Sequence, residues 1–245
     1  MIAFVILHYQ TIEETDKCVE SILGMNKSDE ARIIIVDNAS PNGSGKKLQE
    51  KWKDNPQVEV ILSDTNEGFS KGNNRGCIYA RDTWNPDFYV VANNDIIFGQ
   101  KEFIELIKQE YDKSGYYVLG PDIYDITNRV HQSPVAEREP SMKRVKQTIA
   151  LNSLCLALFQ IAYPLMKICY SRHKDKYTDV AQYNIYQENP LIMGACIVFA
   201  KKYVEERLQE YKKHPFEPET RFYYEEAIMR RWCRMNGKKV LYCKH

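Results

Sequence analysis

The sequence predicts an α/β fold, an open and mostly parallel β-sheet flanked by helices, with a helical insertion around residues 141–175. Two observations support this prediction. In the first 120 residues, short apolar runs alternate with segments of helical periodicity, which is typical of a parallel sheet. A chain of 245 residues with 44% hydrophobic residues is also long and apolar enough to bury a core without disulfides.

Four short runs rich in β-branched or aromatic residues, each followed by a polar loop, are predicted to be buried parallel strands. They are Ile2 to Leu7, Arg32 to Val36, Val58 to Leu62 and Phe88 to Ala92. A first helix is predicted after Thr11, which with Glu14 has the pattern of a capping box. The other predicted elements are helices over 70–81, 100–113, 201–211 and 222–235, and strands over 191–200 and 239–243.

Composition excludes several classes of protein. The 34 Lys and Arg residues nearly balance the 33 Asp and Glu residues, so no global field attracts nucleic acid, and no nucleic-acid partner is predicted. The seven cysteines include no C-x-x-C pair, which argues against a zinc site or a disulfide scaffold. The first apolar run is too short for a signal-peptide core and has no basic region before it. We therefore predict a cytoplasmic protein with reduced thiols.

The loops after the predicted strands carry most of the candidate site residues. In open α/β sheets, ligands bind beyond the carboxyl ends of the strands. Asp95 follows the fourth strand, and a carboxylate there suits Mg²⁺ or Mn²⁺ that also binds substrate phosphates. Asp37 follows the second strand and is placed to accept a hydrogen bond from a nucleobase. Ordinary turn chemistry is the alternative interpretation of each loop.

A glycine-rich run over residues 66–76 follows the third strand, and its glycines allow the backbone to approach a ligand closely. The run matches neither G-x-G-x-x-G nor G-K-[ST], so neither a dinucleotide site nor a P-loop is predicted. A nucleotide site of another kind is chemically reasonable.

Glu225 and Glu226 follow an aromatic cluster at the start of a predicted helix. One of them is a candidate general base, although acidic residues also stabilise the first turn of any helix. The terminal His245 is a candidate metal ligand, or a polar chain end.

Residues 148–166 contain no charge and have basic residues on both sides. The polar residues within this segment share one side of a helix, which indicates an amphipathic helix over 148–167. Such a helix suits peripheral contact with an anionic membrane. The alternatives are packing on the domain or pairing with a second chain, which would make a homodimer.

Five motifs occur in a characteristic order along the chain. They are Val36-Asp37-Asn38-Ala39-Ser40, Asn66-x-Gly68-Phe69-x-x-Gly72-x-Asn74-x-Gly76, Asn93-Asn94-Asp95, Gly194-Ala195 and Tyr223-x-Glu225-Glu226. Together they resemble the motifs of the family-two inverting glycosyltransferases with the GT-A fold. The most similar branch is the rhamnosyltransferase-like one of bacterial surface polysaccharide synthesis.

The resemblance implies a UDP- or dTDP-sugar donor, a Mn²⁺ or Mg²⁺ ion, and inversion at the anomeric carbon. The apolar segment 148–167 would bring such an enzyme to a saccharide or lipid-linked acceptor at the inner face of the cell membrane. Asp95 and His245 would bind the metal, and Glu226 would be the base, with Glu225 contacting the acceptor. The nucleotide-sugar-binding residues would be Tyr9, Asp37, Asn38, Asn66, Gly68, Gly72, Asn74, Asn93 and Asn94.

The resemblance also implies a division of the chain into three parts. Residues 1–125 would form the nucleotide-sugar binding half, 126–190 the helical insertion, and 191–245 the acceptor and catalytic half of the same domain. Glu226 stands where the family has Asp, and its extra methylene leaves Glu225 open as the base.

Two other classes of function compete with this interpretation. A nucleotidyltransferase shares the sheet and the metal carboxylates, but its glycine-rich loop after the first strand is replaced here by His8-Tyr9-Gln10-Thr11. A non-catalytic scaffold protein would account for Ile228 and Trp232, which stand where the family usually has Asp and Arg.

Overall fold

The computed structural model describes residues 1–135, single helical positions between 143 and 153, and residues 186–210, 214–218, 220 and 224–244. The described strands are β1 (Ile2–His8), β2 (Ala31–Asp37), β3 (Val58–Leu62), β4 (Phe88–Asn93), β5 (Val118–Pro121), β6 (Tyr124–Asp125), β7 (Val130–His131), β8 (Tyr186–Glu188), β9 (Cys196–Ala200) and β10 (Val240–Cys243). The described helices are α1 (Ile12–Leu23), α2 (Ser44–Trp52), α3 (Gly68–Trp84), α4 (Phe103–Ser114), α5 (Lys201–Gln209) and α6 (Glu225–Met235).

Eight of these strands form one sheet in the order β3-β2-β1-β4-β9-β5-β10-β8. Strands β1 to β4 pair in parallel, and β10 pairs in parallel with β5. Strand β9 runs antiparallel between β4 and β5, and β8 is an antiparallel edge strand. The sheet is therefore mostly parallel, as the sequence predicts. Strands β9 and β10, which come from the last part of the chain, lie in the same sheet as β1 to β5.

Neighbouring residues of a strand point to opposite faces of the sheet. Both faces are apolar, so helices cover both of them. On one face, Phe4 belongs to a buried cluster with Cys18 of α1 and Ile104 of α4. On the other face, Val5 belongs to a cluster with Cys77 of α3 and further residues of α5 and α6. This arrangement leaves the loops at the ends of the strands as the places where a ligand can bind.

The strand register brings the predicted site loops together. His8 at the end of β1 is opposite Asp37 at the end of β2, and Leu7 is opposite Asn93 at the end of β4. Asp37 is in turn opposite Leu62 at the end of β3. We call this side of the sheet the carboxyl edge.

Some local predictions are wrong, each for a physical reason. Thr11 does not cap α1 through its side chain, because its hydroxyl oxygen accepts a hydrogen bond from Asn94 instead. The strand predicted from residue 191 begins at Cys196, after a turn that contains Gly194. Helix α2 is not predicted, since Leu48 and Trp52 are its only buried large apolar residues and give too little periodicity.

The predicted insertion is described only in part. The described positions between 143 and 153 are helical and exposed, and the remainder of the amphipathic segment 148–167 lies outside the described residues. Within the part of the chain that the structure describes, no helix is long and apolar enough to span a membrane. The five described cysteines are free and buried, and Cys155 and Cys169 lie outside the described residues.

Candidate active site at the carboxyl edge

His8 connects the carboxyl edge to the starts of two helices. Its Nδ1–H donates to the Thr15 hydroxyl of α1 at 2.6 Å, and its Nε2 accepts from the Ser44 hydroxyl of α2 at 2.8 Å. Burial lowers the pKa of His8, outweighing the carboxylates of Asp37 and Asp16, which raise it. His8 is fully buried and both of its ring nitrogens are hydrogen-bonded, so it supports the carboxyl edge from the interior of the protein.

Asp37 is 6% exposed and is held by the loop that follows β2. Its Oδ1 accepts from the Ser40 hydroxyl at 2.5 Å, and both carboxylate oxygens lie 3.3 Å from the Ser40 backbone nitrogen. A Cβ at Gly45 would lie 2.2 Å from Oδ2 of Asp37, so the start of α2 requires glycine at this contact. Tyr9, in contrast, is 43% exposed after β1.

Asn38, Asn66 and Gly68 form one network that shapes the loop before α3. The side-chain amide of Asn38 donates to Oδ1 of Asn66 at 3.1 Å and to the carbonyl of Gly68 at 3.2 Å. Oδ1 of Asn38 accepts from the backbone N–H of Glu67 at 3.0 Å. Gly68 has a φ of +84°, a backbone conformation that favours glycine. Asn38 is therefore engaged with the protein itself and holds the loop in shape.

Gly72 and Gly76 allow α3 to pack closely on β1. A Cβ at Gly72 would lie 2.5 Å from Cδ1 of Leu7, and one at Gly76 would lie 2.3 Å from Cγ1 of Val5. The glycine spacing, which the sequence analysis interprets as room for a ligand, is thus accounted for by contact between helix and sheet.

Asn74 joins α3 to the segment that precedes α6. Its side-chain nitrogen donates to the Phe216 carbonyl at 2.9 Å, and its side-chain oxygen accepts from the Phe216 N–H at 2.9 Å. Asn74 is 3% exposed, so both bonds are buried. The Asn74 amide thus pairs with both backbone groups of Phe216, as a neighbouring strand would. This pairing fixes α3 relative to the segment that precedes α6.

Replacing Asn74 with alanine is expected to lower the free energy of unfolding by about 2–4 kcal/mol, because two buried backbone groups lose their partners. Urea unfolding of the variant measures this loss. The control is Asn236→Ala at an exposed position, which is expected to cost about 0.5 kcal/mol. An unchanged urea midpoint for Asn74→Ala, together with weaker nucleotide binding, would show direct ligand contact instead.

The loop after β4 is held by two asparagines. The backbone N–H of Asn93 donates to the Ala195 carbonyl at 2.9 Å. The side chain of Asn94 donates to the hydroxyls of Thr11 at 2.8 Å and Thr15 at 2.9 Å. These bonds fix the backbone immediately before Asp95, whose own side chain is exposed.

Asp95 lies on the wall of a cavity of about 770 Å³. The cavity lies between the loop after β4 and the segment that contains β6, and Met193, Ala195 and Lys244 also line it. This volume falls in the range of small-molecule sites.

Glu225 and Glu226 begin α6 but have different surroundings. Glu225 is 4% exposed, and its Oε1 accepts from the Ser70 hydroxyl of α3 at 3.4 Å. Glu226 lies against Gly194, where a Cβ would be 3.5 Å from its Oε2. The two neighbours of Gly194 in the chain, Met193 and Ala195, both line the cavity.

Burial raises the pKa of Glu226, and the adjacent Glu225 carboxylate raises it further, against a lowering hydrogen bond from its own backbone N–H. A carboxylate with a raised pKa is a better proton acceptor, so Glu226 combines position and basicity.

The carboxyl edge offers Asp95 as a candidate ligand for a metal ion. No group of three or more His, Cys, Asp or Glu side chains in the described part of the chain is arranged to hold one. His245, the second predicted ligand, lies outside the described residues. Mg²⁺ is often held by one or two carboxylates and completed by substrate phosphates, so the exposed Asp95 fits such a site.

His8, Ser40 and Ser70 are not among the predicted site residues. Each forms its hydrogen bonds with a residue near the site, and two of them reach another element of the fold. The one signal in the sequence is their position, since His8 ends β1, Ser40 follows β2 and Ser70 lies in the first turn of α3.

The fold is that of an α/β protein whose candidate ligand site lies at the carboxyl ends of its strands. The sequence model of glycosyl transferase family 2 matches residues 3–208. The chain therefore belongs to glycosyl transferase family 2.

Two known proteins are similar to this chain. The low-salt glycan biosynthesis hexosyltransferase Agl10 of Haloferax volcanii is 26% identical over 137 residues, which are 56% of this chain and 41% of that protein. The crystal structure of S. aureus TarS 1–349 matches with a TM-score of 0.59 and 13% identity, covering 99% of this chain and 60% of that one. Family membership and this similarity confirm the predicted GT-A type of fold. The chain spans about two fifths of the Haloferax protein's length.

Proposed function

We propose that this protein transfers a sugar from a nucleotide-diphosphate donor to an acceptor hydroxyl, with inversion, in the biosynthesis of a cell-surface polysaccharide. The observation that carries the proposal is the placement of Glu226, a carboxylate with a raised pKa, against Gly194 beside the cavity that Asp95 lines. The Haloferax relative is named as a hexosyltransferase of glycan biosynthesis, which supports the reaction class.

Glu226 acts as the general base in this proposal. Its carboxylate accepts the proton of the acceptor hydroxyl while that oxygen attacks the anomeric carbon from the face opposite the diphosphate. The bond from the anomeric carbon to the diphosphate oxygen breaks, and its electron pair leaves with the diphosphate. One displacement of this kind inverts the anomeric centre. Glu225, buried and bonded to Ser70, holds the start of α6 in place.

Asp95 would hold Mn²⁺ or Mg²⁺ together with oxygens of the donor diphosphate, and we retain His245 as a proposed second ligand. When bound, the ion supplies neutralisation of the charge that develops on the leaving diphosphate. Asn93 and Asn94 fix the backbone that leads into Asp95, which lines the cavity.

The nucleotide of the donor, UDP or dTDP, would bind across the loops after β1, β2 and β3. The exposed ring of Tyr9 offers a face for the base, and Asp37 lies beside it at the end of β2. Asn38, Asn66, Gly68, Gly72 and Asn74 contribute by holding the loop and α3 against the sheet.

Trp232, one of the two departures from the family pattern in α6, has a packing role. Its indole N–H donates to the Glu210 carboxylate at 3.0 Å, and its ring packs edge-on against Tyr203. These contacts lie on the face of α6 that joins α5.

We further propose a saccharide or lipid-linked acceptor at the cytoplasmic face of the membrane, with peripheral contact or homodimer formation through residues 148–167. Its support is the uncharged segment and its basic flanks.

Thermal unfolding in the presence of nucleoside diphosphates and nucleotide sugars, with and without Mn²⁺, tests the proposed function. A ligand that binds only the folded state raises its stability, so we expect metal-dependent stabilisation by a UDP or dTDP species. At a ligand concentration 100 times Kd the gain is about 2.7 kcal/mol. Adenosine and guanosine diphosphates serve as matched controls. No stabilisation by any nucleotide would contradict the proposal.

A further inference from the structure

We propose that the cavity beside Asp95 is the acceptor subsite, and that an uncharged pyranose of the acceptor stacks there on the ring of Tyr124. The inference rests on the proposed function and adds to it the place of the acceptor sugar, its lack of charge and the residue that holds it. Tyr124 lies on β6, lines the cavity and is 50% exposed. Its ring is therefore both at the cavity wall and accessible.

The Tyr124 ring packs against His131, and His131 is in turn linked to Tyr242 through Asp122. The His131 ring of β7 packs against it, with ring centroids 5.1 Å apart. Nδ1–H of His131 donates to Oδ2 of Asp122 at 2.6 Å, and the Tyr242 hydroxyl of β10 donates to Oδ1 of Asp122 at 3.2 Å. This chain of contacts anchors the β6–β7 hairpin to the main sheet.

The turn of the same hairpin is also fixed. Asp125 accepts hydrogen bonds from the backbone N–H groups of Thr127 and Asn128 at 2.9 and 3.0 Å. Its Oδ2 accepts from the side chain of Gln132 at 2.9 Å. Because the hairpin is held both at its strands and at its turn, Tyr124 loses little conformational freedom when a ligand binds.

The lining of the cavity matches the chemistry of a sugar. A pyranose has apolar faces of C–H groups and a rim of hydroxyls, so it needs an aromatic face and polar groups around it. Tyr124 supplies the face, and Thr127 and Gln132 are among the polar groups that line the cavity. Besides Asp95, the charged lining residues are Asp122, Asp125 and Lys244, so the wall carries a net negative charge that disfavours a polyanionic acceptor.

The probes are the methyl glycosides of glucose, galactose, mannose and rhamnose, and saturation-transfer NMR on the full chain measures their binding. We expect at least one glycoside to receive saturation from the wild-type protein. Tyr124→Ala is expected to weaken its binding about tenfold, as aromatic anchors do. Tyr124→Phe keeps the ring and is expected to stay within about twofold of wild type, since stacking does not use the hydroxyl.

Tyr9→Ala is the matched control, because Tyr9 is also a half-exposed tyrosine at the carboxyl edge. It should weaken stabilisation by UDP or dTDP and leave glycoside binding unchanged, whereas Tyr124→Ala should do the reverse. The inference fails if no glycoside binds the wild type, if Tyr124→Ala binds as well as wild type, or if Tyr9→Ala loses the glycoside equally. Stabilisation by UDP or dTDP does not depend on Tyr124. If no nucleotide stabilises the wild-type protein, the proposed function is overturned instead.

Discussion

Glu226→Gln is expected to lower kcat for sugar transfer by about 10³-fold, the typical contribution of a positioned general base. Glutamine preserves the size of the side chain beside Gly194 but cannot accept the acceptor proton. Donor binding is expected to be unchanged, because the carboxylate acts on the acceptor. Initial-rate kinetics with a nucleotide sugar, together with stabilisation by the nucleotide, measure the two effects separately.

The pH profile provides a second measure of the same residue. The base must be deprotonated, so kcat/KM should fall as the pH falls through the pKa of Glu226. Burial raises this pKa above the usual 4.5, which shifts the acid limb of the profile upward. The residual activity of Glu226→Gln should lack that limb.

Glu225→Gln is the matched control, one residue earlier on the same helix. Glu225 is buried against Ser70, so its variant is expected to lose stability and to retain the acid limb. If Glu225→Gln abolishes transfer while Glu226→Gln retains full turnover, the base is Glu225, the alternative that the sequence leaves open.

Asp95→Ala is expected to remove metal-dependent stabilisation by the donor nucleotide and to lower transfer by about 10³-fold or more, since a metal that neutralises the leaving group contributes several kcal/mol. The exposed carboxylate has no other structural task in the described part of the chain that its loss would disturb. Thermal unfolding with and without Mn²⁺, followed by transfer assays, measures both effects.

Asp82→Ala provides the comparison for this variant. Asp82 is an exposed carboxylate near the far end of α3, paired with Arg81 and away from the carboxyl edge. Its removal should change neither nucleotide binding nor transfer. Metal-dependent stabilisation that persists in Asp95→Ala would place the ion on other ligands and contradict the assignment.

The local sequence pattern was sufficient to predict most strands of the sheet and the edge where the candidate site lies. Each of the four parallel strands of the first half falls within one residue of its predicted bounds at either end, because short buried strands carry dense β-branched residues between polar loops. The edge followed from the general rule that ligands bind at the carboxyl ends of parallel strands. The motifs also carried the family resemblance that the comparisons confirm.

Local pattern was insufficient where an element is short or stabilised by distant residues. Strand β8 is three residues long and, among the described strands, pairs with β10 alone, over fifty residues later in the chain. The β6–β7 hairpin contributes two residues per strand, too few to show alternation.

By itself, the sequence determined the class of fold, the edge that carries the site, and the residue types gathered there, since these depend on neighbours along the chain. Only the tertiary structure decided what each of those residues does. Asn74 pairs with the backbone of Phe216, 142 positions later, and Gly72 makes room for Leu7. Glu225 and Glu226 are adjacent in sequence, yet one is buried against Ser70 and the other lies against Gly194. The physical reason is that burial, basicity and hydrogen bonding depend on segments that come together only when the sheet closes.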